Sequence, residues 1–127
     1  MSLAVFLLDD DVAFRNALCA TLFNRLQAKV VGRAETSDAA LLWFALHEWQ
    51  WDLAVLDLFL EEGTAYEVLA RMAPSHRRRC VVLTNTATPA NIAQCFELGV
   101  DAVFDKAFQI DDFIDYCAQL PAAQMVT

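Results

Sequence analysis

The chain has 127 residues, 57% of them hydrophobic and 20% charged, with a formal net charge of −8. That length supplies a single core and excludes a second domain, and the apolar fraction excludes a disordered or fibrous chain. The acidic balance works against contact with phosphate backbones, so no direct nucleic-acid binding is expected.

The first apolar run, Ala4-Val5-Phe6-Leu7-Leu8, breaks into Asp9-Asp10-Asp11. It lacks a basic leader and is too short to span a bilayer, so it reads as a strand, with neither a signal peptide nor a membrane span expected. Val12, Leu18, Leu22, Phe23 and Leu26 then recur at helical spacing, predicting a helix from Val12 to about Gln27 with Asp11 as its N-cap. Lys29 to Ala34 suits a short strand. Thr36-Ser37-Asp38 offers caps for a helix to about Glu48 that carries Leu41, Leu42, Trp43, Phe44 and Leu46. Trp43 is expected in the core, and Trp49 and Trp51 are expected in core or edge packing, with an exposed aromatic patch as the alternative.

Leu53 to Asp57 is short and uniformly apolar up to its closing acid, the signature of a central parallel strand buried on both faces. The loop Leu60 to Thr64 leads into a short helix ending near Ala73, with Pro74 read as its stop. Cys80 to Thr84 is the next strand, preceded by Arg77-Arg78-Arg79 as a solvated turn. Thr88-Pro89 opens a helix that Gly99 closes. Ala102 to Phe104 forms the last strand, and Asp111 to about Leu120 the last helix, with Pro121 beyond its end and 122–127 as a frayed tail. Five strands alternating with five helices imply a parallel sheet covered on both faces. Cys19, Cys80, Cys95 and Cys117 lack metal-ligand spacing and read as buried reduced thiols of a cytoplasmic protein. His47 and His76 are assigned no chemistry.

Ligand sites in open parallel sheets lie beyond the carboxyl ends of the strands. In this reading Asp9, Asp10, Asp57, Thr84 and Lys106 all fall there. Clustered carboxylates repel unless a cation neutralises them, and three suit a hard ion such as Mg²⁺. Lys106 would pair with an anion and Thr84 donate a hydroxyl hydrogen bond. A carboxylate can act as a nucleophile toward phosphorus, with the protein positioning groups and offsetting charge.

Along nearly the whole chain, the strings VFLLDDD, DLAVLDLFL, VVLTN and FDKAF resemble the receiver domains of response regulators in two-component signalling. The resemblance implies one receiver domain over 1–127, a flavodoxin-like, doubly wound five-stranded parallel sheet in the order 2-1-3-4-5. It implies Asp57 as the phosphoacceptor, and Asp9 and Asp10 as a Mg²⁺-binding pair completed by Asp57 and the Phe59 backbone carbonyl. Thr84 would be the switch hydroxyl and Lys106 the phosphate-pairing lysine. A histidine kinase or phosphotransfer protein is the implied donor, and the last two helices with the strand between them are the implied surface for self-association or output. Ile92, Cys95, Phe96, Phe108, Phe113 and Tyr116 are its apolar candidates.

Four positions depart from the family pattern. Ala107 stands where a proline after a cis bond is common, Asn85 where Ala or Gly is usual, and Val103 where a switching Tyr or Phe is frequent, with Phe104 its nearest aromatic. The loop after Asp57 lacks the frequent proline and adds Glu61 and Glu62, read as solvated. The alternative function is therefore a degenerate receiver acting by phosphorylation-independent contacts. An aspartyl-phosphate phosphatase, formally suggested by Asp9-Asp10-Asp11, is disfavoured because the chain supplies no cap domain, so no enzyme is expected.

Overall fold

The computed structural model describes residues 2–120, so Pro121 and the tail at 122–127 lie outside the described residues. The elements in chain order are β1 (Ala4–Leu8), α1 (Val12–Leu26), β2 (Lys29–Ala34), α2 (Ser37–Leu46), β3 (Leu53–Leu56), α3 (Ala65–Ala70), α4 (Pro74–Arg77), β4 (Cys80–Thr84), α5 (Pro89–Glu97), β5 (Ala102–Asp105) and α6 (Ile110–Ala118). The five strands form one sheet ordered β2-β1-β3-β4-β5, every pairing parallel.

The uniform apolar runs follow from burial on two sides. Side chains alternate across a strand, so Phe6 and Leu8 of β1 join Ala54, Leu56 and Val82 beneath α2, α3 and α5. Val5 and Leu7 join Leu53, Val55, Val81 and Leu83 beneath α1 and α6, where Leu18, Leu22, Phe113 and Ile114 close the second layer. Each of these Val, Leu, Ile and Phe side chains contributes about 1.5–3 kcal/mol on burial, which outweighs the weak strand preference of any single residue.

Helix starts follow their caps. Asp11 Oδ1 accepts from the Phe14 N–H at 3.0 Å, Thr36 Oγ1 from Ala39 at 3.1 Å, Thr64 Oγ1 from Glu67 at 3.2 Å, and Thr88 Oγ1 from Asn91 at 3.2 Å. Two expectations, on Pro74 and on the arginine run, are corrected. Pro74 does not stop a helix, since α3 already ends at Ala70, short of the expected Ala73; it opens α4 at that helix's first turn, where its missing N–H costs nothing, so the described residues hold six helices rather than five. Core and edge packing hold for the two tryptophans: Trp51 is buried, and Trp49, more exposed and at a left-handed φ of 63°, packs its ring against His76 with centroids 4.2 Å apart, so the two do not form one patch. The arginine run is no free turn, since Arg77 Nε donates to the Met72 carbonyl at 3.0 Å and Arg79 lies over the Trp49 ring. α2 ends at Leu46, slightly short of the expected Glu48. Cys80, Cys95 and Cys117 are buried, and burial pushes the Cys117 thiol up to about 12, but Cys19 is only half-buried.

Strand β2 carries a register shift. Val5 pairs with Val30 and Phe6 with Gly32, leaving Val31 as an extra, exposed residue. Immediately after it, Gly32 makes room for Trp43, which stacks on Phe6 with ring centroids 4.6 Å apart. A Cβ on Gly32 would stand 2.3 Å from Trp43 Cε2. Gly32→Ala is therefore expected to lower stability by about 2 kcal/mol, measured as a fall in the urea midpoint at unchanged slope. No helix among the described residues is long and apolar enough to cross a membrane.

Candidate functional site

All strands being parallel, their carboxyl ends share one edge, and backbone pairing continues past them. The Asp9 N–H donates to the Ala34 carbonyl at 3.1 Å, the Asp57 N–H to Leu8 at 2.8 Å and the Lys106 N–H to Thr84 at 2.9 Å. Each chemistry-bearing residue is thus fixed by its neighbour strand's last carbonyl before its side chain makes any contact.

Those side chains converge. Lys106 Nζ lies 2.6 Å from Asp9 Oδ2 and 3.3 Å from Asp57 Oδ2, and its side chain is only 7% exposed. Asp9 and Asp57 are buried, and the ammonium also sits 4.3 Å from the Phe14 ring centroid. Burial pushes the Asp57 carboxyl up from 3.8 to about 6; Lys106 opposes the rise and the charge of Asp9 adds to it.

Asp9, Asp10 and Asp57 can each turn one oxygen to within 4.8 Å of the others. Three hard oxygen donors at one strand edge fit a divalent cation of the Mg²⁺ type. Asp10 also holds the loop after β3, its Oδ2 accepting from the Glu61 N–H at 2.7 Å. Phe59, in that loop, bridges to Thr64, and the Leu60 N–H donates to Gly63 at 3.1 Å. Gly63 adopts φ +101°, and a Cβ there would meet Ser37 Oγ at 2.0 Å, so only glycine closes this turn without displacing α2.

Thr84 is buried at the neighbouring strand end, but its hydroxyl pairs with Thr86 Oγ1 at 3.1 Å rather than with the acids or Lys106. The peptide bond before Ala107 is trans, as are all those described. Asp105 holds the turn instead, its Oδ1 accepting from the Ala107 N–H at 2.7 Å, a donor that proline lacks. Asn85 is exposed. Val103 and Phe104 face opposite layers: Val103 packs beneath α5, while Phe104 meets Phe113 and Tyr116 edge-on. Phe104 therefore cannot take over the place of Val103. Of the apolar candidates for self-association, Cys95 and Phe113 are buried, whereas Phe96 and Phe108 are exposed.

Two further residues support the site. Arg15 Nη1 donates to the Asp9 carbonyl at 2.9 Å and pairs with Glu35 at 3.6 Å. Ser37 ties the loop after β3 to α2 through its N–H to the Glu62 carbonyl at 3.2 Å, and α3 to α2 through its Oγ to Glu67 Oε2 at 3.1 Å. Only Arg15 was findable, as a cation one helical turn beyond the acids.

Comparisons with known proteins agree with this fold. The family described as "Response regulator receiver domain" matches residues 5–118. No curated protein matches the chain. Among solved structures, the phosphorylated cyanobacterial phytochrome response regulator RcpA is 22% identical with TM-score 0.76, covering 98% of this chain and 95% of its own. The non-phosphorylated HemR receiver domain from Leptospira biflexa is 22% identical with TM-score 0.78, covering 94% and 97%. A chain of the CheX-CheY-BeF3-Mg+2 complex from Borrelia burgdorferi is 14% identical with TM-score 0.74, covering 91% and 89%. With the family matched over nearly its whole length and the sheet order of that fold, this chain belongs to the receiver domains of response regulators.

Proposed function

We infer that this receiver accepts a phosphoryl group on Asp57 from the phosphohistidine of a histidine kinase or phosphotransfer protein, in the cytoplasm, and so switches a partner or attached output domain. The observation that carries this reading is the Lys106 ammonium set between Asp9 and Asp57 at the buried strand edge. An Asp57 oxygen attacks phosphorus, the phosphorus–nitrogen bond to the donor imidazole breaks, and the imidazole nitrogen leaves with the electron pair and takes a proton from solvent. The product is a mixed anhydride whose oxygens Lys106 is placed to neutralise. Asp9, Asp10, Asp57 and the Phe59 carbonyl would hold Mg²⁺, which supplies further charge neutralisation when bound.

Two of the similar structures are titled as phosphorylated RcpA and as a BeF3-activated DrrB receiver domain, which supports carrying that chemistry over. Incubation with Mg²⁺ and acetyl phosphate is expected to add one phosphoryl group, mapped to Asp57 by mass spectrometry of the borohydride-reduced digest. A chain that stays unmodified under conditions where a known receiver is labelled would instead support the phosphorylation-independent interaction module, for which Asn85 and Ala107 are the motivating departures.

A further inference from the structure

The Thr84 hydroxyl is the start of a hydrogen-bonded chain that leaves the acid cluster. Besides its contact with Thr86 Oγ1, Thr84 Oγ1 accepts from the Thr86 N–H at 3.2 Å. The Thr86 carbonyl is used twice, accepting from the Thr88 N–H at 2.8 Å and from Asn91 Nδ2 at 2.9 Å. Asn91 Oδ1 accepts from the Tyr66 hydroxyl at 3.1 Å, and the Tyr66 ring meets Phe59 edge-on with centroids 6.1 Å apart. The path runs from the end of β4 to the first turn of α5, crosses to α3, and returns to the loop two residues past Asp57. Val103 has no polar atom with which to join it.

We propose that Thr86, Asn91 and Tyr66 are positioning residues that couple the Thr84 hydroxyl to the N-terminal turn of α5 and to α3. This rests on the reading of Thr84 as the hydroxyl that responds to a phosphoryl group on Asp57. A hydroxyl has one proton to donate. Either hydroxyl of the Thr84–Thr86 pair can be its donor, and Thr84 Oγ1 accepts the Thr86 N–H in both cases, so when Thr84 turns its hydroxyl to an oxygen on Asp57 the Thr86 hydroxyl and N–H must follow it or lose it. Because the Thr86 carbonyl holds both the α5 cap residue and Asn91, its displacement is passed to the helix, and Tyr66 ties the far end to α3. Burial raises the Tyr66 hydroxyl above its usual value, which keeps it a neutral donor throughout.

Amide NMR of the full chain tests this with beryllofluoride and Mg²⁺ as the probe. In the parent protein the Asp9, Asp10 and Asp57 amides, the Thr86 and Asn91 amides and the Asn91 side-chain NH₂ are all expected to shift. Thr84→Val keeps the first group and loses the rest, Thr84→Ser restores them, and Tyr66→Phe keeps the Thr86 response while altering that of the Asn91 NH₂. An Asn91 response unchanged by Thr84→Val overturns the proposal. Without any ligand, Thr84→Val itself must shift the Asn91 side-chain NH₂ and Tyr66→Phe the Thr86 N–H, and indifference at both also overturns it. Silence of the acid-cluster amides toward beryllofluoride counts against Asp57 as acceptor, and the ligand-free comparison still decides the coupling.

Discussion

Lys106→Met is expected to destabilise the protein by about 3–5 kcal/mol at neutral pH without divalent cations, the usual cost of stranding buried charge. The lysine is the counter-ion of two buried carboxylates, 2.6 Å from Asp9 and 3.3 Å from Asp57, and methionine keeps its length and apolar stem but offers no charge. Two changes in condition are expected to return part of the loss. Saturating Mg²⁺ supplies positive charge to the same oxygens and stabilises the folded state by mass action. Acid does so as well, because Asp57 without Lys106 holds its proton more tightly and becomes neutral. Urea unfolding with and without Mg²⁺ measures both effects, and a loss below about 1 kcal/mol would mean that the pair behaves as a surface ion pair.

Asp57→Asn is expected to have the opposite effect on stability while abolishing phosphoryl labelling. The folded-state value of about 6 lies above the unfolded 3.8, so the folded protein binds more protons between them and Asp57 opposes folding above that window. The full penalty corresponds to about 3 kcal/mol at 1.36 kcal/mol per unit, and water reaching the open crevice reduces the expected gain to about 1–2 kcal/mol. The gain should be complete at pH 7–8, shrink as pH falls through about 6, and vanish only below 3.8, where the parent Asp57 is protonated in both states. Paired urea titrations at these values check it. A gain that does not depend on pH would assign the effect to packing instead of charge.

The strands and their closing residues are legible in sequence because burial on both faces demands continuous apolar runs, and parallel pairing brings their ends to one edge. Asp9, Asp10, Asp57 and Lys106 could therefore be placed from local runs alone. Pro74 was misread because proline ends one helix and opens the next for the same reason, its missing N–H, and only the following turn distinguishes the two. The hydrogen bonds beyond Thr86 were invisible for a different reason. Tyr66 and Asn91 lie 25 residues apart, and a side-chain hydrogen bond across two helices imposes no period on either. Trp49 and Trp51 show the same limit, since adjacent aromatics receive opposite environments once the chain turns through a left-handed residue between a helix and a strand.

The extra residue at Val31 bears on how this protein stays dispersed. β2 is the outer strand of the sheet, and an unpaired strand edge is a template onto which another chain can add. The bulge breaks the even spacing of free N–H and C=O groups along that edge, and the exposed Lys29 and Arg33 flank it with charge. β5, at the other margin, is only four residues long. Among the described residues a chain that is 57% hydrophobic thus offers no long, flat edge for intermolecular strand addition, so backbone geometry as well as negative charge works against edge-to-edge aggregation.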